Sequence, residues 1–301
     1  MVEREGSATG ARGTLVVFPG ALGDTVCLEP AVAWLGRRGP VHLLARGAAG
    51  EVARLFPGRP CVGSLDGVEV ARLFSPRDGT ACEPSGWLTR FESVVSFTGA
   101  HHPEVRARLT RLGNGRVLPF PARTGSVHAI DEMLAAVSEG AAAPGAAPAL
   151  SLDGPLADAG TAPGLVLHPG SGGAAKRAPA GIFRAVAKRW RQAIGAGVLV
   201  LLGPAERNER EWWTATVGEV ACPHDVRELV RTVSPGRIFL GNDAGPSHVA
   251  AALGVPTIVL FTVTSPARFG PRGHRVQHLH VRPGTDGDAG RVWEAVAGAL
   301  P

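Results

Sequence analysis

The sequence predicts an α/β protein in which two parallel sheets face a central cleft. Short apolar runs such as Thr14-Leu-Val-Val-Phe18 and Leu165-Val-Leu-His168 alternate with stretches whose apolar residues recur at helical spacing. One aperiodic stretch rich in Ala, Pro and Gly, residues 140–164, interrupts the alternation, which then restarts. Hydrophobic residues make up 45% and charged residues 19% of 301 positions, a globular balance with room for two medium domains. The expected division is residues 1–150 and residues 151–301.

In chain order, 14–18 reads as a buried strand closed by Pro19-Gly20. From Asp24 the pattern turns helical, with Leu28, Ala31, Val32 and Leu35 on one face, and 36–40 ends it. Residues 41–45 are the next strand. Further strands are expected at 93–97 and 116–118, with helices near 48–56, 103–112 and 127–139. In the second half, strands are expected at 165–168, 197–202, 237–240 and 257–261. Helices are expected at 181–193, 207–217, 225–233 and 247–253, and His278 and His280 share one face of another strand. Residues 288–300 form a short amphipathic helix with Val292, Val296 and Leu300 on one face. Such alternation implies parallel sheets covered on both faces. Ligands of these sheets sit where strand ends lead into loops, here the loops after Phe18, His168, Leu202 and Leu240.

Composition excludes several classes of protein. No run of eighteen apolar residues is present, so no membrane-spanning helix is expected, and the polar start does not have the shape of a secretion signal. The cytoplasm is the expected compartment. Cys27, Cys61, Cys82 and Cys222 form no CxxC pair, and the ten histidines lack ligand spacing, so neither metal nor disulfide is expected. The net charge of +5 suits an anionic partner, but no nucleic-acid-binding motif accompanies it. Of 31 basic residues only Lys176 and Lys188 are lysine.

Each loop has two readings. Asp24 either caps a helix or acts as a general base at the mouth of the cleft. PGSGGAAKRAP, after His168, is either a surface loop or an anion-binding concavity to which Ser171 and Lys176 add a donor and a charge. Glu206 and Glu209 either complement a helix dipole or accept from ribose hydroxyls. GNDAGPSH, residues 241–248, is either a plain turn or a diphosphate seat at a helix N-terminus.

Together these loops resemble glycosyltransferase family 9, the heptosyltransferase family. FPGALGDTVCLEPA resembles its N-terminal loop, LVLHPGSGGAAKRAP its lysine loop, and LLGPAERNERE its glycine followed by a short acidic stretch. GNDAGPSHVAAALGVPTIVLFTVTSPARFGP resembles its most specific segment, and the matches run in order over about residues 14–272. The resemblance implies a GT-B fold: two Rossmann-like domains, acceptor on the N-terminal side, nucleotide sugar on the C-terminal side. It implies that the last helix crosses back to the first domain. The implied reaction inverts the anomeric carbon without an obligatory metal or cofactor.

The implied partners are an ADP-activated heptose donor and a lipopolysaccharide-core or related glycan acceptor. If that acceptor is lipid-linked, the protein would touch the cytoplasmic face of the inner membrane. By the resemblance, Asp24 is the catalytic base, Lys176 contacts the donor diphosphate with Ser171 beside it, and Glu206 or Glu209 holds the ribose. Asp243, Ala244 and Gly245 form the donor loop, followed by Ser247 and His248. The chain departs from the family's pattern at Phe18-Pro19, where many members carry a basic residue, at Arg177-Ala178-Pro179, and at Thr262, where glycine is frequent. Two other readings stand beside this one. One is a GT-B enzyme using another nucleotide sugar in a capsule or secondary-metabolite pathway, the other an inactive nucleotide-binding homologue.

Overall fold

A computed structural model describes residues 13–74, 86–152, 164–195, 197–233 and 238–300. Residues 1–12, Cys82, Arg237 and the part of the expected 140–164 linker from 153 to 163 lie outside the described residues.

The first half comprises β1 (Thr14–Val17), α1 (Leu22–Gly36), β2 (Val41–Ala45), α2 (Gly47–Ala53), β3 (Cys61–Ser64) and α3 (Val68–Phe74), then β4 (Ser93–Ser96), α4 (Pro103–Thr110), β5 (Asn114–Val117) and α5 (Ala129–Ser138). The second half begins with β6 (Leu165–His168), α6 (Ala180–Ala193), β7 (Val198–Leu201), α7 (Arg210–Thr216), β8 (Glu219–Ala221) and α8 (Val226–Val233). It ends with β9 (Ile238–Asn242), α9 (Gly245–Ala252), β10 (Thr257–Phe261), α10 (Pro266–Phe269), β11 (Val276–His280) and α11 (Ala289–Gly298).

The strands form two sheets, in the orders β3-β2-β1-β4-β5 and β11-β10-β9-β6-β7-β8. Their ladders are parallel. In the first, the chain moves outward from β1 to β3, then returns to continue from β4 on the other side of β1. In the second it moves from β6 to β8, then returns to β9 beside β6. Each sheet therefore has a switch point, at β1/β4 and at β6/β9, where diverging loops open a crevice. The loops after Phe18, His168 and Asn242 all stand at these crevices.

Central strands are apolar on both faces because helices cover both. Leu15, Val16 and Val17, like Leu165, Val166 and Leu167, are fully buried. Trp190 of α6 and Trp213 of α7 fill the second core with Val292 and Val296 of α11. The last helix thus closes the second core against α6 rather than crossing back to the first sheet. Its apolar face is used up where it lies.

Helix α1 packs against α5 of its own half and against α9 of the other. The crossing depends on two glycines: a Cβ on Gly23 would stand 2.9 Å from His248 Cδ2, and one on Gly245 would stand 2.9 Å from Leu22 Cδ2. A second junction joins α5 to the segment after β10. Arg272 holds both carboxylate oxygens of Asp131, at 2.7 and 2.6 Å, which keeps that carboxyl below the usual range. Arg268 pairs with Glu132 at 2.5 Å and donates to the carbonyls of Ala122 and Val127. His128 Nε2 donates to the Gly270 carbonyl at 2.9 Å while Nδ1 accepts from Ile130 N–H, which requires the neutral ring. No helix among the described residues is long and apolar enough to cross a membrane.

Candidate active site

Asp24 lies in the first turn of α1, just beyond the carboxyl end of β1. The helix begins at Leu22, so Asp24 is not the cap itself; its Oδ2 accepts the Ala21 N–H at 3.1 Å. The capping and functional readings are therefore compatible, because the Ala21 N–H engages only one of the two carboxylate oxygens. Burial raises the pKa of Asp24 above 3.8, opposed by the Ala21 N–H and by the positive charges of Arg123 and Lys176. The charge of Asp243 also reaches it, so Asp24 and the loops of the second sheet share one electrostatic neighbourhood.

Across the cleft, the loops after β6 and β9 are fastened to each other. Asn242, fully buried, receives the Ala178 N–H on Oδ1 at 3.0 Å and donates from Nδ2 to the Pro169 carbonyl at 2.7 Å. Ser171 Oγ donates to the Asp243 carbonyl at 3.2 Å, and Ser247 Oγ to the Asn242 carbonyl at 2.6 Å. Lys176 Nζ meets Asp243 Oδ2 at 2.7 Å, and Thr264 Oγ1 donates to that same oxygen at 2.8 Å. An ammonium is thus held at the crevice by a nearly buried carboxylate.

The two glutamates part company. Glu209 takes both arms of Arg177, at 2.8 and 2.7 Å, and the Trp213 indole N–H, which together hold its pKa below the ordinary value. Glu206 is buried, and its Oε1 accepts the Ser171 N–H at 3.2 Å. Among the described residues it has no salt-bridge partner. Gly170 and Gly203 make room for it, since a Cβ on either would approach the carboxylate within 3 Å. Of the pair, Glu206 is the one that faces a cavity.

That cavity, of about 380 Å³, is lined by Ser171, Glu206, Ala244 and Gly245 from the second half. Leu201, Leu202, Val226 and Leu229 give it an apolar wall, and Leu22, Ala48 and Glu51 close it from the first half. An apolar wall with a few convergent polar groups is the usual form of a small-molecule site. A larger hollow of about 580 Å³, lined by Arg207, Arg210 and Arg231, follows the edge strand β8 and shares Pro223 and His224 with the cavity. Among the described residues no three His, Cys, Asp or Glu side chains gather as a metal site.

Gly241 continues β9, and Gly245, which opens α9, packs against Leu22 of α1 and also lines the cavity. Of the expected site residues, Ser171, Glu206, Ala244 and Gly245 line this cavity, whereas Asp24, Lys176, Asp243, Ser247 and His248 do not. His248 is wedged between α9 and α1, with Nδ1 3.5 Å from Cys27 Sγ, and burial lowers its pKa to about 4. In turn, Asn242 and Thr264 have a place at the cleft that sequence reasoning did not assign. Asn242 is visible in GNDAGPSH, but only its fully buried amide shows that it fastens loops.

The sequence model described as glycosyltransferase family 9 (heptosyltransferase) matches residues 131–288, more than half of the chain. The chain belongs to glycosyltransferase family 9. It is a glycosyltransferase of GT-B type, and solved structures share its architecture. The E. coli ADP-heptose lps heptosyltransferase II superposes with a TM-score of 0.74 at 17% identity, over 96% of this chain and 98% of that one. A family 9 glycosyl transferase from Veillonella parvula gives 0.74 at 16% identity, over 96% and 97%. The E. coli heptosyltransferase WaaC with ADP gives 0.70 at 14% identity, over 96% and 100%. At such identities the likeness is one of fold. No curated protein matches the sequence.

Proposed function

We propose that this family 9 enzyme transfers a sugar, heptose in our reading, from an ADP-activated donor to a hydroxyl of a lipopolysaccharide-core or related glycan. The reaction inverts the anomeric carbon and needs neither metal nor cofactor. The observation that carries the reading is the opposition of Asp24, on α1, to the Lys176–Asp243 pair and the buried Glu206 at the second crevice.

Each group has a chemical role. Asp24, as carboxylate, takes the proton of the acceptor hydroxyl while that oxygen attacks the anomeric carbon. The bond from the anomeric carbon to the diphosphate oxygen breaks, and the electron pair leaves with ADP. Lys176 and the N–H groups opening α9 meet the charge that develops there. A compact ammonium suits a single phosphate oxygen better than a guanidinium fork. Glu206 accepts from the ribose hydroxyls, and the apolar wall of Leu201, Leu202, Val226 and Leu229 takes the base. Ser171 and the backbone of Asp243, Ala244 and Gly245 line the diphosphate. A lipid-linked acceptor would bring the enzyme to the cytoplasmic face of the inner membrane.

Asp24→Asn keeps the size and the bond from Ala21 but removes the base. Transfer should fall by about 10²–10⁴-fold, the usual contribution of a general base, while ADP affinity stays within about twofold. Turnover at the wild-type rate, read as ADP release, would remove Asp24 from the chemistry. The same assay with UDP- and GDP-sugars tests the choice of donor.

A further inference from the structure

The loop between β10 and α10 carries two hydroxyls aimed at the lysine pair without lining the cavity. Thr262 Oγ1 donates at 2.7 Å to the carbonyl of Ala175, the residue directly before Lys176. Thr264 Oγ1 donates at 2.8 Å to Asp243 Oδ2, the oxygen that also receives Lys176 Nζ.

The tip of the lysine loop has little else to fix it. Gly172 and Gly173 lead into it through open space, and the 3-10 turn Ala174–Lys176 contains no buried residue. The strong fastenings lie at the loop's base, where Arg177 holds Glu209 and the Pro169 carbonyl, and Asn242 holds Ala178. A lysine is a point charge on a flexible stem, so its aim depends on what its backbone and counter-ion are tied to.

We propose that Thr262 and Thr264 are positioning residues for the leaving group. Thr262 fixes the backbone that carries Lys176, and Thr264 fixes the carboxylate that aims its ammonium, so the charge is in place before the donor arrives. Preorganised charge needs no rearrangement as the diphosphate departs. The proposal rests on the nucleotide-sugar reading above and extends it to side chains that act through Lys176 and Asp243.

The test uses the fact that the chain has only two lysines, Lys176 and Lys188. Reductive methylation with carbon-13 gives them separately assignable NMR signals. Thr262→Val should shift and broaden the Lys176 signal and leave that of Lys188 on the exposed face of α6 unchanged; Thr262→Ser should restore the wild-type signal. By calorimetry Thr262→Val should weaken ADP binding about fivefold, the worth of one neutral hydrogen bond. In a Lys176→Ala background the same change should add nothing, because the positioned group is gone. An unmoved Lys176 signal, or an equal fivefold loss without Lys176, overturns the proposal. If the wild type binds no ADP, the nucleotide-sugar reading falls, while the lysine signals still decide the positioning role.

Discussion

At the scale of single residues, the site is built from charges whose environments differ. Asp24 is pushed up by burial, whereas Glu209 is pulled down by Arg177, although both lie in or beside helix starts. A base works only when ionised, so a raised pKa moves the acid limb of activity upward with it. The limb of kcat/KM should therefore lie above 3.8, the ordinary aspartate value, and activity should be lost as pH falls through it. A pH–rate profile checks this, and a limb at or below the ordinary value would show that the rate-controlling carboxylate is not the buried one. Asp243 serves differently, since its carboxylate takes Lys176 and Thr264 while its carbonyl takes Ser171.

At the scale of elements, the site exists because α1 and α9 cross closely. Gly23→Ala would drive a methyl into His248, whose ring is buried and held beside Cys27. Overpacking of this kind costs about 1–3 kcal/mol, so Gly23→Ala should lower the unfolding free energy by that amount and reduce kcat/KM together with it. Denaturant titration and steady-state kinetics check the pair; full activity at unchanged stability would mean that the crossing is loose. These elements also show what could be read in advance. Central strands such as β1, β6 and β9 were legible because both faces are apolar and Pro or Gly closes the run. Of the four edge strands, β5 and β11 were expected but β3 and β8 were not: β3 is Cys-Val-Gly-Ser and β8 is three residues long, so pairing with a neighbour makes them strands rather than their own propensity. The loops that carry Asp24, Lys176 and Asp243 were legible as the segments following β1, β6 and β9. That Glu209 is spent on Arg177, that His248 packs between helices, and that Thr262 reaches Ala175 depend on contacts across 30 to over 200 residues. No local pattern encodes them.

At the scale of the molecule, two parallel sheets turn their switch points toward one cleft and are joined by buried neutral groups as well as by ion pairs. His128, His168, His248 and His278 all have pKa values lowered by burial. A lowered histidine contributes stability that is present above its unfolded value of 6.5 and lost as pH falls toward the folded one, about 4 for His248. Tm should therefore drop on acidification from pH 7 to pH 5 by more than carboxylate titration explains. A flat Tm over that range would mean that these rings are not buried neutral. In the nucleotide-sugar site that we propose for this cleft, Lys176, held by Asp243, receives the donor diphosphate. Calorimetric titration of ADP into the wild type and Lys176→Ala tests it most directly. A single ADP site is expected in the wild type, weakened about tenfold or more in the variant, as follows from a lost charge-assisted bond of about 1.5–3 kcal/mol. Equal ADP affinity in the two proteins would contradict it.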